Sequence, residues 1–272
     1  MTESSRTADA PLERALALAS AALADAPAGL LTDFDGTLSP IVADPALARL
    51  TDGASGALAA LVSRLAVVAI VTGRAPLDAR RMTGVPGMLV AGNHGTELLE
   101  PDADAPILSP AASSVRAALD EVLARLPQVA GVIIEHKGLS AAIHYRNAAG
   151  AGAVRDRLVE ALGPLGDGLE LRHGRMSLEL RPVGLGDKGA ATRAIIKRFG
   201  LRGVVVMGDD VTDLDMFAAV AEMRAAGQIR GAIIGVGGGD AEVPPEVAAA
   251  ADVVLASPAD IARLLKALAG IG

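Results

Sequence analysis

The sequence predicts an α/β protein with a buried parallel sheet and a smaller α+β insertion. Short runs that are apolar on both faces alternate with alanine- and leucine-rich helical segments, as expected for strands covered by helices on both sides. After the third of these runs the pattern changes to two hairpins whose strands alternate between apolar and polar residues. The chain has 272 residues, enough for one large domain or two smaller ones.

The elements of the larger domain follow in order along the chain. Residues 1–10 are small and polar and are predicted to be a disordered tail, and a helical pattern follows over 11–25. The predicted strands are "AGLLTDF", "LAVVAIVTG", "GMLVAGN", "GVVVMGDD", "IRGAIIGVG" and "ADVVLAS". Helices are predicted near residues 52–64, 187–199, 213–226 and 258–268. The larger domain is therefore expected to be discontinuous, with residues 11–106 and 184–272.

The insertion, predicted at residues 107–183, has the pattern helix, two strands, helix, two strands. The segment "VIIEHKGLSAAIHYR" predicts a hairpin that turns at Lys137 and Gly138. The segment "LELRHGRMSLELRP" predicts a second hairpin that turns near Gly174. Paired hairpins of this kind predict a small antiparallel α+β unit.

Composition and charge exclude several classes of function. The net charge of −7 disfavours nucleic acid as the main partner, because a phosphate backbone needs a basic face. With three Phe, one Tyr and no Trp, surfaces for base stacking are scarce, and with no Cys, disulfides and thiolate metal sites are excluded. No secretory pattern and no apolar run of membrane-spanning length is present, so a cytoplasmic protein is expected. The oligomeric state stays open, with a monomer as the simplest expectation.

Residues able to carry chemistry follow the predicted strands, where ligands bind in open parallel sheets. Acids from two strands suit Mg²⁺, which prefers carboxylate, water and phosphate oxygens. Asp33 is a candidate nucleophile toward phosphorus, and Asp35 is a candidate acid and base. Thr72 and Lys188 are candidates to hold phosphoryl oxygens. In chain order the strand-end residues are Asp33, Asp35, Thr72, Arg74, Asn93, His94, Gly95, Asp209 and Asp210, and Lys188 opens a helix before the fourth strand.

Each of these motifs also has a structural explanation when taken alone. A D-x-D-G segment after a strand is common turn chemistry, and an isolated Lys188 reads as a surface lysine. Acids also favour the N-terminus of a helix. The segment "GDDVTDLDMF" carries four acids in seven residues, which is more than helix capping requires. Their shared position at strand ends favours a metal-dependent site for phosphoryl transfer.

The motifs D-F-D-G-T, V-T-G-R, D-K-G and G-D-D-x-T-D resemble, in order and over the whole chain, the four motifs of the haloacid-dehalogenase superfamily of phosphatases. The resemblance implies a Rossmann-like parallel-sheet core, and the insertion is similar to the C2-type cap of that superfamily. It also implies that Asp33 is the nucleophile, that Asp35 is the acid and base, and that Thr72 and Lys188 bind phosphate. The implied ligands of a Mg²⁺ ion are Asp33, the backbone carbonyl of Asp35, and Asp209. Asp213 would lie next to these ligands without binding the ion directly.

Strand alternation in the insertion predicts one polar sheet face. A solvated face of an antiparallel sheet would give the same pattern. The mixture of acids, bases and hydroxyls nevertheless suits a polyhydroxylated ligand, because each sugar hydroxyl can donate and accept. The polar positions are Glu135 and Lys137 on one strand, Ser140, His144 and Arg146 on the next, and Arg175, Ser177, Glu179 and Arg181 on another.

The segments "AGNHGTE", "EHKGLSAAIHYR" and "GRMSLELRPVGLGDKG" resemble those that mark trehalose-6-phosphate phosphatases. This resemblance implies Mg²⁺-dependent hydrolysis of trehalose 6-phosphate, a small-molecule sugar phosphate, through an aspartyl-phosphate intermediate. Another sugar phosphate, of the sucrose, glucosylglycerol or mannosylglycerate type, is the alternative substrate. A non-catalytic sugar-phosphate sensor is a third hypothesis, although such sensors usually lose acids that are present here. The expected substrate-binding residues are Arg74, Asn93, His94, Gly95, Glu135, Lys137, Arg146, Arg175, Ser177 and Glu179.

Overall fold

The chain folds into two compact units. The core unit comprises residues 1–107 and 186–272, and the cap unit comprises residues 108–185. The structure is a computed structural model. It describes residues 3–42, 44–166, 168–174, 176–185, 187–237 and 243–271, with the backbone alone for residues 3–9 and 137.

Strands and helices are numbered in chain order. The strands are β1 (Ala28–Thr32), β2 (Val67–Val71), β3 (Leu89–Gly92), β4 (Glu97–Leu99), β5 (Ile107–Leu108), β6 (Ile133–Lys137), β7 (Ser140–His144), β8 (Leu169–Gly174), β9 (Ser177–Pro182), β10 (Gly203–Gly208), β11 (Arg230–Val236) and β12 (Val253–Leu255). The helices are α1 (Glu3–Leu23), α2 (Ala54–Val62), α3 (Pro76–Thr83), α4 (Pro110–Ala124), α5 (Ala151–Leu162), α6 (Lys188–Phe199), α7 (Leu214–Ala225), α8 (Pro245–Ala250) and α9 (Pro258–Ala269).

The core unit is organised around a sheet with the strand order β12-β11-β10-β1-β2-β3-β4-β5. From β12 to β3 each neighbouring pair is parallel, whereas β4 is antiparallel to β3. All five residues of β1 are buried. Leu30 packs into one hydrophobic cluster and the next residue, Leu31, into another, because successive side chains of a strand point to opposite faces. The parallel sheet buried on both faces confirms the predicted α/β class.

Helices cover both faces of this sheet. Alanines and leucines of α1, α2 and α9 pack against one face, and isoleucines, Met216 and Phe217 of α6 and α7 pack against the other. Within the described residues, every helix is too short or too polar to cross a lipid bilayer. Strand β4 was not predicted, because three residues with one buried position carry no periodic signal.

Helix α1 differs from the prediction at the N-terminus. Residues 3–10, predicted to be a disordered tail, are helical in the structure. The prediction relied on their small, polar side chains. The segment contains no glycine, however, and Pro11 lies inside the observed helix. The polar composition of residues 3–10 therefore did not predict their helical conformation.

The cap unit is an antiparallel sheet with strand order β6-β7-β9-β8 and two helices on one face. Ile143 of β7 lies opposite Leu178 of β9, and both side chains are completely buried in the cap's own hydrophobic cluster. Leu119 of α4 and Leu158 of α5 complete this cluster. The cap unit therefore has a core of its own, in the predicted order of helix, hairpin, helix, hairpin.

We expect Gly203→Ala to destabilise the core unit by about 1–3 kcal/mol through overpacking. Gly203 begins β10, and a Cβ atom there would meet the backbone carbonyl oxygens of Ala22 and Asp25, which cannot rotate away. Gly56→Ala in the exposed part of α2 is the matched control, since no heavy atom would lie within 4 Å of the new Cβ. It should stabilise the protein by up to about 1 kcal/mol. Urea unfolding of both variants measures the difference, and equal midpoints would contradict the packing argument.

Candidate active site

A cleft of about 680 Å³ opens at the carboxyl ends of the central parallel strands of the core unit. Asp33 follows β1, and its backbone N–H donates to the carbonyl of Met207 in β10 at 2.9 Å, so the ladder between the two strands continues into the site. Thr72 follows β2, and Asp209 follows β10. The predicted residues that line this cleft are Asp33, Asp35, Thr72, Arg74, His94, Lys188, Asp209 and Asp210.

A buried lysine between two carboxylates forms the floor of the cleft. The Nζ of Lys188 donates to Asp33 Oδ1 at 2.9 Å and to Asp213 Oδ1 at 2.7 Å. The Lys188 side chain is 3% exposed, and those of Asp33 and Asp213 are 7% and 0% exposed. Lys188 is the first residue of α6, whose N-terminus is capped by the side chain of Asp187. Lys188 is thus a buried member of the site and not a surface lysine.

Asp213 fixes the turn that carries Asp209. Its second oxygen, Oδ2, accepts from the backbone N–H groups of Asp209 at 3.0 Å and Asp210 at 3.1 Å. A Cβ atom at Gly208 would lie 2.5 Å from the Asp213 carboxyl carbon, so the close approach requires glycine there. Both Asp213 oxygens are therefore engaged by protein groups, and its role here is to hold other residues in position.

The loop after Asp35 contacts Asp209 directly. The hydroxyl of Thr37 donates to Asp209 Oδ1 at 3.0 Å. Gly36 has a φ of +76°, and a Cβ atom on it would collide with the Asp209 carboxylate. Sequence reasoning assigned no role to Thr37, although it stands in the quoted D-F-D-G-T motif. Its contact depends on the adjacency of β1 and β10, which no local sequence signal gives.

Carboxylate oxygens of Asp33, Asp209 and Asp213 lie within 4.8 Å of one another. Such a cluster of hard oxygen donors suits a hard divalent cation. Because Asp213 is occupied by the lysine and the two amides, Asp33 and Asp209 are the side chains that can present oxygens to a metal. The chemistry of this donor set fits the magnesium site expected from the sequence.

Burial and crowding shift the pKa values of this cluster. Burial raises the pKa of Asp33 to about 8, with a further contribution from the Asp213 carboxylate that Lys188 partly opposes. Burial and Asp213 also raise the pKa of Asp209 to about 7, against the hydrogen bond from Thr37. Burial alone would lower the pKa of Lys188, but Asp33 and Asp213 together raise it above its ordinary value. Lys188 therefore stays protonated. Because three carboxyl groups surround this single positive charge, the cluster also favours a bound cation.

Asp35 does not belong to this cluster and is paired with Arg74. The guanidinium donates through Nε to Asp35 Oδ2 and through Nη2 to Asp35 Oδ1, both at 2.6 Å. The carbon of this guanidinium lies 5.5 Å from the ring centroid of Phe34, within range of a cation–π interaction. The Asp35 side chain is 39% exposed, far more than that of Asp33. The two acids of the D-x-D motif thus occupy different environments.

Thr72 and His94 line another side of the cleft, whereas Asn93 and Gly95 flank His94 in the chain and do not line it. The carbonyl of Thr72 accepts from the backbone N–H of His94 at 2.9 Å, and the Thr72 hydroxyl accepts from the backbone N–H of Arg74 at 3.3 Å. Asn93 and His94 have φ values of +49° and +57°, in the left-handed region that non-glycine residues seldom adopt. A Cβ atom at Gly73 would lie 2.7 Å from the His94 ring. Backbone strain of this kind is common at functional sites.

In the cap unit, the strand register places three of the six predicted sugar-binding residues on one sheet face. Glu135 and Glu179 both lie opposite Ala142, and Ser177 lies opposite His144. The His144 Nε2 atom is 3.1 Å from Glu135 Oε2. A groove of about 500 Å³ in this unit is lined in part by Ser140, Glu170, Glu179 and Arg181. The register thus places Glu135, Ser177 and Glu179 on one face of the cap sheet.

The other three predicted cap residues are Lys137, Arg146 and Arg175. Arg146 lies in an exposed turn after β7. Lys137 ends β6, and only its backbone is described. Arg175 lies outside the described residues.

The doubly covered parallel sheet, the inserted cap and the acids at the strand ends define a member of the haloacid-dehalogenase superfamily. The family model for trehalose-phosphatase matches residues 31–238, and the chain belongs to that family.

Relatives and solved structures are similar to this chain over different lengths. A trehalose-phosphate phosphatase of Mycobacterium avium is 38% identical over 253 residues, which cover 87% of this chain and 61% of that protein. An uncharacterized glycosyl hydrolase of Mycobacterium tuberculosis is 41% identical over 201 residues, which cover 69% of this chain and 15% of that protein. The structure of Aspergillus fumigatus trehalose-6-phosphate phosphatase aligns with a TM-score of 0.59 and 24% identity, over 94% of this chain and 97% of that one. That structure supports the fold.

We expect the metal-free protein to lose stability as the pH rises from about 4 to about 8. Asp33 and Asp209 have folded-state pKa values raised to about 8 and about 7 from 3.8, so the folded state binds more protons than the unfolded state in this window. The free energy of unfolding then falls with pH. Lys188 is charged in both states there and adds no slope.

Thermal unfolding in the presence of a chelator, measured at several pH values, checks this expectation. Asp209→Asn removes one of the titrating groups and should flatten the decline, by an amount on the order of 4 kcal/mol over the whole window. A decline of equal slope in the wild-type protein and in Asp209→Asn would contradict the assignment of the raised pKa to Asp209.

Proposed function

We propose that this protein is a Mg²⁺-dependent phosphatase that hydrolyses trehalose 6-phosphate to trehalose and phosphate. The observation that carries the proposal is the buried Lys188–Asp33 pair beside the carboxylate of Asp209, in a chain of the trehalose-phosphatase family. Support for the substrate comes from the relatives named as trehalose-phosphate phosphatases.

Asp33 is the nucleophile in this proposal. Its Oδ1 accepts from Lys188, which leaves Oδ2 to attack phosphorus. The bond between phosphorus and the sugar oxygen then breaks, and an acyl phosphate forms on Asp33. Lys188 keeps its proton, so its charge opposes the negative charge that builds up on the phosphoryl oxygens.

Asp35 is the acid and base. It protonates the leaving sugar oxygen in the first step and removes a proton from the attacking water in the second, which releases phosphate and restores Asp33. The two hydrogen bonds from Arg74 support this role, because they fix the orientation of the Asp35 carboxylate at the cleft. Asp35 also retains partial solvent access, which suits proton exchange with water.

The remaining core residues bind and orient the substrate. Thr72 holds a phosphoryl oxygen through its hydroxyl proton, and Arg74, Asn93, His94 and Gly95 contact the phosphate or the adjacent sugar. Asp33, the backbone carbonyl of Asp35 and Asp209 would hold Mg²⁺, with Asp213 keeping these residues in place. Bound Mg²⁺ would neutralise charge on the phosphoryl group.

The cap selects the sugar in this proposal. Glu135, Ser177 and Glu179 share one sheet face, and their carboxylates and hydroxyl can hydrogen-bond to sugar hydroxyls. Lys137, Arg146 and Arg175 are proposed for the same role from the family resemblance. A sugar phosphate of another type would use the same core chemistry and differ at these cap positions.

We expect strong, Mg²⁺-dependent release of phosphate from trehalose 6-phosphate, with much weaker release from glucose 6-phosphate and sucrose 6-phosphate. Asp33→Asn should reduce kcat by several orders of magnitude, as removal of other covalent nucleophiles does. Phosphate release with Mg²⁺ and with EDTA is the measurement, and circular dichroism verifies the fold of the variant. Retained turnover in Asp33→Asn would rule out the aspartyl-phosphate route, and preference for another ester would redirect the substrate assignment.

A substitution in the cap tests the sugar-binding role separately. Glu179→Gln should raise the KM for trehalose 6-phosphate about tenfold with little change in kcat, because a hydrogen bond from an uncharged sugar to a charged group is lost. Glu121→Gln is the matched control, since Glu121 pairs with Arg125 at the surface of α4 much as Glu179 pairs with Arg181 in β9, but Glu121 does not line the groove of the cap sheet. Equal KM values for the two variants would argue against a specific role for Glu179.

A further inference from the structure

Two exposed aliphatic residues line the same cleft as the catalytic acids. Ile41 is 67% exposed and Val42 is 39% exposed, although both are large and β-branched. Pro45 and Pro244 line the cleft beside them. We call these four residues the apolar rim. The cleft therefore combines a charged floor, made by the buried Lys188 and the acids, with an aliphatic wall.

The backbone on both sides of the rim is anchored to the core. Leu38 is completely buried, and the N–H of Gly36 donates to the carbonyl of Ser39 at 2.7 Å. Downstream, the N–H of Thr51 donates to the carbonyl of Leu38 at 2.9 Å, which closes the segment into a loop. Ile41, Val42 and Pro45 of the rim are therefore carried by a loop that is fixed at its base next to Asp35.

Folding by itself does not explain this exposure. Apolar side chains left in water forgo the stabilisation that burial provides, and neighbouring exposed apolar residues often mark ligand-binding surfaces. Three of the ten large hydrophobic residues exposed in the described part of the chain, Ile41, Val42 and Leu47, lie within seven residues of one another. A ligand that contacts both Lys188 on the floor and the aliphatic rim needs two features. It needs an anionic group to pair with the lysine, and next to that group an apolar face to cover Ile41 and Val42.

We propose that Ile41 and Val42 bind the carbon–hydrogen face of the sugar ring that carries the phosphate, and so determine specificity for ring-bearing esters. This inference rests on the proposed function for its substrate class. A phosphoryl group at Asp33 directs the ester oxygen out of the floor, and the ring attached to it reaches the lining of the same cleft. A pyranose ring has C–H bonds on its faces and hydroxyls at its edge, so an aliphatic wall can cover a face and leave the hydroxyls to polar groups.

The double variant Ile41→Ser/Val42→Ser tests the inference. We expect its KM for trehalose 6-phosphate to rise about tenfold at unchanged kcat, because binding shared by ground and transition states is lost. Inhibition by inorganic phosphate should stay unchanged, since phosphate occupies the floor without reaching the rim. The matched control is Leu47→Ser, because Leu47 is 61% exposed in the same segment but does not line this cleft. It should behave as wild type.

Calorimetric titration provides a second readout that does not require turnover. In the inactive Asp33→Asn background, adding the two rim substitutions should weaken binding of trehalose 6-phosphate about tenfold and leave binding of inorganic phosphate unchanged. If another sugar phosphate proves to be the substrate, the proposal of trehalose 6-phosphate is wrong. Titrating that ester into the Asp33→Asn protein, with and without the rim substitutions, then still tests the role of the rim.

Three results would overturn the role of the rim. The first is an unchanged KM and unchanged ester binding when the two rim residues are replaced, or no ester binding in the Asp33→Asn parent. The second is an equal effect of Leu47→Ser, which would assign the change to the loop as a whole. The third is a parallel loss of phosphate inhibition, which would indicate that the substitutions distort the floor.

Discussion

The buried ammonium group of Lys188 connects the parts of the candidate active site. It contacts Asp33 at the end of β1 and Asp213 in the turn after β10, so a single charge joins two strands and the start of α6. A buried charge is costly unless it is paired, and removing one partner of such a pair typically costs about 3–5 kcal/mol. The lysine and its two acids therefore maintain one another. The same arrangement provides the positive charge and the oxygen donors that phosphoryl transfer requires.

Close packing around this network depends on small residues as much as on charged ones. Gly36 lets the loop after β1 reach Asp209, and Gly208 lets the Asp213 carboxylate reach the backbone amides that follow β10. In both places any side chain would occupy the space of a carboxylate. The acids can converge because these positions have no Cβ atom. The glycine of the D-F-D-G-T motif thus permits the close approach of Asp209 as well as the turn.

The proposed catalytic and sugar-binding residues belong to different units, and each unit has its own buried hydrophobic residues. The acids, Lys188 and Thr72 all belong to the core unit, whereas Glu135, Ser177 and Glu179 belong to the cap unit. Because the cap has its own buried cluster, residues on its polar face can change without disturbing the packing of the core. The apolar rim adds a further contribution to specificity from the core itself. Such a division is compatible with one phosphoryl chemistry serving different sugars.

The sequence by itself determined the parallel sheet, the insertion and the identity of the strand-end acids. These features depend on short-range patterns: strands such as β1 are apolar throughout because both faces are covered, and the acids directly follow them. Local patterns were insufficient for residues 3–10, which are helical, and for β4, which is too short to show a period. Only the tertiary structure decided which groups meet. Asp33 and Lys188 are 155 residues apart, Thr37 and Asp209 are 172 apart, and Arg74 and Asp35 are 39 apart. Those contacts require the order of strands in the sheet and the rotamers of the side chains, which are set by packing among distant segments.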